Sequence, residues 1–298
     1  MGKKPRLIRK NVGKVESATV YTLLDDYSGY DPSFYGQHGL SFLIDVIAGS
    51  ARKRILFDTG QSGKPILYNM GKMGLNPKHI DMVFLSHCHY DHTGGLIEML
   101  RAIDETVTVI AHPSIFRRNL KEQNFRHVGV YDSKEEIEKY GAKWILDSHP
   151  RKLMDGVITT GEIPIGERVD FERETTSSLY TIVDGKLVQD DMLDDVSIAI
   201  KTGESLVVVS GCSHAGIVSI VKRSMQVTGS DRIKAVVGGY HLIDAKRERI
   251  EQTVKNLEDL RVEKIYTGHC TGIKAECSLL SEFGVNFEKL HSGKVMRF

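Results

Sequence analysis

Cysteine is scarce in this 298-residue sequence, and the four present, Cys88, Cys212, Cys270 and Cys277, do not fall at spacings that suggest a disulfide framework. Reduced thiols in a reducing compartment are the expectation. An excess of either charge is also missing, with 40 Lys plus Arg against 39 Asp plus Glu and a formal net charge of +1. No global field therefore draws the chain to nucleic acid or to an acidic membrane surface, which argues against an RNA-processing role. Nowhere is there an apolar run long enough to span a bilayer. The basic start at residues 1–6 is followed by only Leu7-Ile8 before Arg9-Lys10, too short for the apolar region of a signal peptide. These absences point to a cytoplasmic protein acting on a small-molecule substrate, with neither nucleic acid nor membrane as partner. Nothing in the pattern specifies an oligomer.

Against this even background one segment stands out. His87-Cys88-His89-Tyr90-Asp91-His92 crowds three imidazoles and a carboxylate into consecutive positions, which packing alone does not require. The strand-like run Met82-Val83-Phe84-Leu85 precedes it and Thr93-Gly94-Gly95-Leu96 follows, so the cluster is predicted on a turn from a strand into a helix. In an extended segment side chains alternate, and His87 and His89 then project to the same side and can reach one ion. Asp91 and His92 follow where the chain turns, and can reach a second ion beside the first. Two-metal hydrolytic sites hold their ions about 3.5 to 4 Å apart with a mixed imidazole and carboxylate shell. Cys88 points the other way in this alternation, as a small buried side chain.

The 298 residues, with 41% hydrophobic content, can bury a large core, and one domain over residues 1–298 is expected. Strands are predicted at 19–24, 40–47 and 55–57, the last two joined by Gly49-Ser50, with 27–39 as a polar, aromatic loop that could cover a site. A helix capped by Ser62 should close near Gly74, and a second should present Leu96, Met99, Leu100 and Ile103 as one docking face. A strand at 107–111 follows. Periodicity then weakens from about 113 to 195, a stretch expected to be a substrate-shaping insertion, with a hairpin over 179–188 that turns at Asp184-Gly185 and could overhang the site. Strands return at 197–201, 206–210, 235–237 and up to Thr267, alternating with helices from about 215 and around Ile250, Val254, Leu257 and Leu260. Strand and helix order recurs in the two halves, as in an α+β sandwich of two sheets with helices on both outer faces.

His-x-His-x-Asp-His after an apolar strand resembles the metallo-β-lactamase superfamily. Phe57-Asp58-Thr59-Gly60 resembles its strand-end Asp-x-Gly motif, and Tyr266-Thr267-Gly268-His269 its late Gly-His motif. Where the superfamily usually carries Gly-Asp after a strand, this chain has Ser210-Gly211-Cys212-Ser213-His214, so the common bridging carboxylate is absent. With His38-Gly39-Leu40-Ser41, Gly238-Gly239-Tyr240-His241-Leu242 and Gly268-His269-Cys270-Thr271-Gly272, the set is similar to the dihydropterin-type synthase branch, named for 7,8-dihydropterin-6-methyl-4-(ribofuranosyl)aminobenzene-5'-phosphate synthesis. The resemblance runs from about Val15 to the C-terminus and implies a four-layer αββα fold with its ligands at one edge of the sandwich.

It also implies site roles. His87, His89 and His214 would hold one ion, and Asp91, His92 and His269 a second, with Asp58 orienting ligands from behind. Cys212, in the place of the missing Asp, is either a ligand or a packed thiol. His241 is either a ligand or the acid-base group beside Asp91, and His38 a substrate contact. The cofactors expected are two divalent ions, zinc first, though these donors also accept iron or manganese. Activated hydroxide attacking a phosphodiester, ester or lactone is one chemistry; displacement of diphosphate from a dihydropterin by an arylamine is the other. A diiron redox protein would need a flavin partner for which the chain is short. A non-catalytic metabolite-binding module would not need the intact first cluster.

Overall fold

The computed structural model of the chain describes residues 12–30, 33–173 and 178–298; the basic start, positions 31–32 of the 27–39 loop and positions 174–177 lie outside the described residues. Among the described residues two seven-stranded sheets face each other, and a four-stranded sheet sits apart from them. The first sheet runs, edge to edge, through Val295–Arg297, Ser17–Leu24, Ser41–Ala48, Ala51–Phe57, Met82–Phe84, Val107–Ala111 and Ala142–Leu146. Its first members pair antiparallel, with a tight turn at Gly49 between Ala48 and Ala51. From Ala51–Phe57 onward the pairing is parallel. Parallel neighbours need a crossover, and the helices Gly63–Lys72, Leu96–Ile103 and Lys134–Glu138 supply them.

The second sheet runs through Phe287–Lys289, Ile265–Thr267, Arg232–Gly238, Ser205–Val209, Ile198–Thr202, Val157–Thr159 and Lys152–Met154. Its four parallel strands are joined by the helices Ile217–Thr228, Arg247–Asp259 and Ile273–Phe283. Between the sheets Phe42, Ile44, Phe57 and Phe84 meet Val207, Val209 and Val237. On the outer face of the first sheet Ile66, Met70, Met99 and Leu100 cover Leu43, Leu56 and Val83, and on that of the second Val221, Val254, Leu257 and Leu279 cover Leu206, Val236 and Ile265. Residues of one strand thus alternate between two cores, which is why Ser41–Ala48 and Ser205–Val209 read as continuous apolar runs. Each such side chain contributes about 1.5–3 kcal/mol by burial, and Leu43→Ala would cost about 2–5 kcal/mol. The order helix, sheet, sheet, helix is the four-layer αββα sandwich expected.

Ser62 caps its helix by accepting from the Lys64 amide, and the Asp184-Gly185 hairpin forms between Leu179–Val183 and Lys186–Gln189. Two things differ from expectation. The helix Ile273–Phe283 and the edge strand Val295–Arg297 went unseen, because the helix buries only Ala275, Glu276 and Leu279 and the strand is three residues long. The stretch 113–195 is also not one insertion. Ala142–Leu146, Lys152–Met154 and Val157–Thr159 extend the two main sheets, and only Asn119–Lys121, Arg126–His127 and the hairpin build the separate four-stranded sheet. These strands are two to five residues long, too short to show a period of their own.

Candidate metal centre

Parallel strands deliver their following turns to one edge of a sheet, and ligands in such folds collect outside the strands' carboxyl ends. Asp58 follows Ala51–Phe57, the cluster His87 to His92 follows Met82–Phe84, Cys212 and His214 follow Ser205–Val209, His241 follows Arg232–Gly238, and His269 follows Ile265–Thr267. Ser17–Leu24 points the same way as Ala51–Phe57, being antiparallel to their common neighbour, so Asp26 arrives at this edge too. The turns pack tightly. A Cβ on Gly211 would collide with the Ser86 hydroxyl, and Gly238, at φ +134°, lies against the Ser210 carbonyl.

Among the described residues several donor groups overlap there, and two of them divide the clustered histidines into halves. In the first, His89 Nδ1 lies 3.1 Å from His87 Nε2 and 3.2 Å from His214 Nε2. In the second, His92 Nε2 is 3.0 Å from Cys212 Sγ and 3.4 Å from Asp91 Oδ2, and His269 Nε2 is 3.2 Å from the same Asp91 oxygen. Nitrogen donors bound at 2.0–2.1 Å to one tetrahedral ion are about 3.3 Å apart, so these separations fit a divalent cation in each group. Cys212 also lies within 4.8 Å of His214 and His241, so its sulfur stands between the two groups.

The outward ring nitrogens explain the orientations. Ser86 Oγ is 2.8 Å from His87 Nδ1, Asn119 Oδ1 is 3.1 Å from His89 Nε2, Asp58 Oδ2 is 2.7 Å from His92 Nδ1, and Asp26 Oδ1 is 2.6 Å from His269 Nδ1. With one nitrogen engaged behind, each ring turns the other toward the centre. Asp58 was among the residues the sequence singled out; Ser86, Asn119 and Asp26 were not. Ser86 adjoins the cluster and Asp26 lies just beyond the strand predicted at 19–24, the only signals that could have found them.

The two groups differ electrically. Burial pushes His87 and His214 well below the ordinary histidine range, helped by neighbouring imidazoles, and brings His89 down to about 4 against the pull of Asp91. Burial acts on His92 in the same sense, yet Asp91 and Asp58 override it and hold that ring up to about 9. His269 is likewise raised, burial being outweighed by Cys270, Asp26 and Asp91. Burial raises the Cys212 thiol, so a thiolate there calls for a cation beside it.

A pocket of about 250 Å³ opens over both groups. His38 lines it, half exposed and 3.0 Å from Asp26 Oδ2, within 3.6 Å of Asp91. His241 lines it as well, its ring centroid 4.1 Å from that of His214, its Nδ1 buried without a hydrogen-bond partner, at φ 46°. Leu179, from the hairpin, lines it too, so the small sheet borders the site. Cys88 is buried on the far side of the turn, and His112 is held by Ser114 and Glu162 away from the centre. No helix among the described residues is long and apolar enough to cross a membrane.

The profile of the metallo-beta-lactamase superfamily matches residues 35–269. A 7,8-dihydropterin-6-methyl-4-(beta-D-ribofuranosyl)-aminobenzene-5'-phosphate synthase from Methanocaldococcus jannaschii is 48% identical over 291 residues, 97% of this chain and 99% of that protein. Among solved structures, a metal-dependent hydrolase of the beta-lactamase superfamily superposes with a TM-score of 0.77 at 28% identity, over 94% of this chain and 98% of its own. A metallo-beta-lactamase fold protein from Bacillus subtilis gives a TM-score of 0.56 at 13% identity, over 95% of this chain and 100% of its own, a likeness of fold alone.

Proposed function

This chain belongs to the metallo-β-lactamase superfamily, and from that premise we propose that it is a two-metal enzyme joining an arylamine to a dihydropterin with loss of diphosphate. The observation that carries the reading is the convergence of His87, His89 and His214 beside Asp91, His92, Cys212 and His269 under one pocket, in a chain 48% identical over nearly its whole length to a named synthase. The first three residues would hold one divalent ion and the other four a second, zinc being favoured by imidazole and thiolate donors. Bound there, the ions would supply electrostatic stabilisation of charge on the departing phosphate oxygens.

The chain's own residues supply the rest. The arylamine nitrogen forms a bond to the pterin methylene carbon, the carbon–oxygen bond breaks, and diphosphate departs with that electron pair. The amine must lose a proton. His241, with a ring nitrogen unclaimed by any hydrogen bond and its side chain on the pocket wall, is placed to accept it. Asp58, Asp26, Ser86 and Asn119 keep the ligand rings in one tautomer and orientation. His38 faces the pocket mouth, where it can meet substrate.

The 28% identical hydrolase supports a second reading on the same donors, attack by water on a phosphodiester, ester or lactone. Metal analysis coupled to a product assay separates them. With 7,8-dihydropterin methyl diphosphate, release of diphosphate that requires added arylamine is expected for condensation. Hydrolysis of a phosphodiester or a lactone, with diphosphate release indifferent to the amine, overturns it.

A further inference from the structure

The pocket has a cationic wall that the metal donors do not explain. Lys121 and Arg126 sit directly opposite each other on Asn119–Lys121 and Arg126–His127, and Leu179 is opposite Lys121 on the next strand. Side chains of directly opposed residues share a face, and all three line the pocket above the imidazoles. Like charges placed opposite each other destabilise a sheet. Among the described residues neither cation has a carboxylate partner: Arg126 instead lies over the Tyr90 ring, 5.5 Å from its centroid, which holds it toward the site. Of the pocket's carboxylates, Asp26 and Asp91 are engaged by imidazoles, and Asp244 belongs to the loop after His241.

We propose that Lys121 and Arg126 form a phosphate-binding pair, gripping the terminal monophosphate of a phosphorylated sugar or aryl riboside while the other end of the substrate lies over the metal donors. The proposal rests on the synthase reading, in which the relative's name already carries an aminobenzene riboside phosphate, and adds the two residues that hold that phosphate. A dianion between the two cations relieves their repulsion and accepts charge-assisted hydrogen bonds from both, and Arg presents a fork that matches phosphate oxygens. Val128 and Leu179, also on the wall, give apolar surface for the ring that carries the phosphate.

The test is calorimetric titration of the metal-loaded full chain with ribose 5-phosphate, with ribose as the uncharged control. Wild type is expected to bind the phosphate and not the sugar. Lys121→Gln with Arg126→Gln is expected to weaken binding at least about tenfold with unchanged metal content, and Lys121→Arg to retain it. Affinity should also fall with salt in wild type and barely change in the double variant. An unchanged dissociation constant in the double variant overturns the pair. Because binding needs no turnover, absence of condensation would remove the proposed reaction and leave this result standing. Condensation with an unchanged KM for the phosphorylated amine in the double variant would remove the pair alone.

Discussion

The two halves of the donor cluster lie side by side at one sheet edge and are built on opposite principles. His87, His89 and His214 are an all-imidazole group; the two outward nitrogens with a resolved partner are met by neutral oxygens, those of Ser86 and Asn119. Burial there holds the rings neutral, so their lone pairs are available near neutral pH. Asp91, His92, Cys212 and His269 include a carboxylate and a thiol, and carboxylates Asp58 and Asp26 stand behind the rings. Against burial, those carboxylates raise His92 and His269, favouring their protonated forms near neutral pH. The first half is therefore prepared for a cation by geometry, the second by charge, and an ion in the second must displace protons. Removing one residue should then affect the halves unequally.

Asp91→Ala gives the largest effect, because it takes the anion shared by His92 and His269 out of the charged half. Metal analysis is expected to show one ion lost per chain and one retained by the imidazole half, with turnover down more than about 100-fold. Retention of both ions would remove Asp91 from the donor set. Asp58→Asn comes next and strikes both halves, since one Asp58 oxygen holds His92 Nδ1 at 2.7 Å and also Ser86 Oγ at 2.7 Å, which in turn holds His87 Nδ1. Metal affinity is expected to fall about 10- to 100-fold at both sites together. Loss confined to one site would show that Ser86 holds His87 without help from Asp58.

What could be read in advance divides along physical lines. The alternation His87, His89 and the turn carrying Asp91 and His92 are local, so their grouping follows from the geometry of a strand and its exit. His214, His269 and Cys212 end apolar strands, and the resemblance placed them at the same edge. The groups behind the rings leave no such trace: Asn119 is 30 residues from His89 and Asp26 is 243 from His269. A hydrogen bond between distant segments has no periodicity, and its donor and acceptor types are common anywhere in a chain. The small sheet was half legible. Its Asp-Gly hairpin announced itself, while its two- and three-residue strands around Lys121 and Arg126 did not.

Asn119→Ala is the smallest of these changes and the sharpest test of the separation between halves. Asn119 joins the small sheet to the imidazole half alone: its Nδ2 donates to Asp190 Oδ2 at 2.7 Å while its Oδ1 meets His89 Nε2. Behind it Arg117 donates to Asp190 at 2.6 Å and pairs with Asp194 at 2.7 Å, whose other oxygen accepts from the Cys88 amide. Alanine frees the back of His89 and leaves Asp190 short of one donor, a loss of about 1–3 kcal/mol in stability and about tenfold in metal affinity. No hydrogen bond of Asn119 reaches Asp91, His92, Cys212 or His269. A chelator titration of the loaded variant is therefore expected to strip one ion earlier than in wild type and the second at the same concentration. If both ions leave together, the halves are coupled through Cys212 or a shared ligand between the ions, and charge in one half is sustaining geometry in the other.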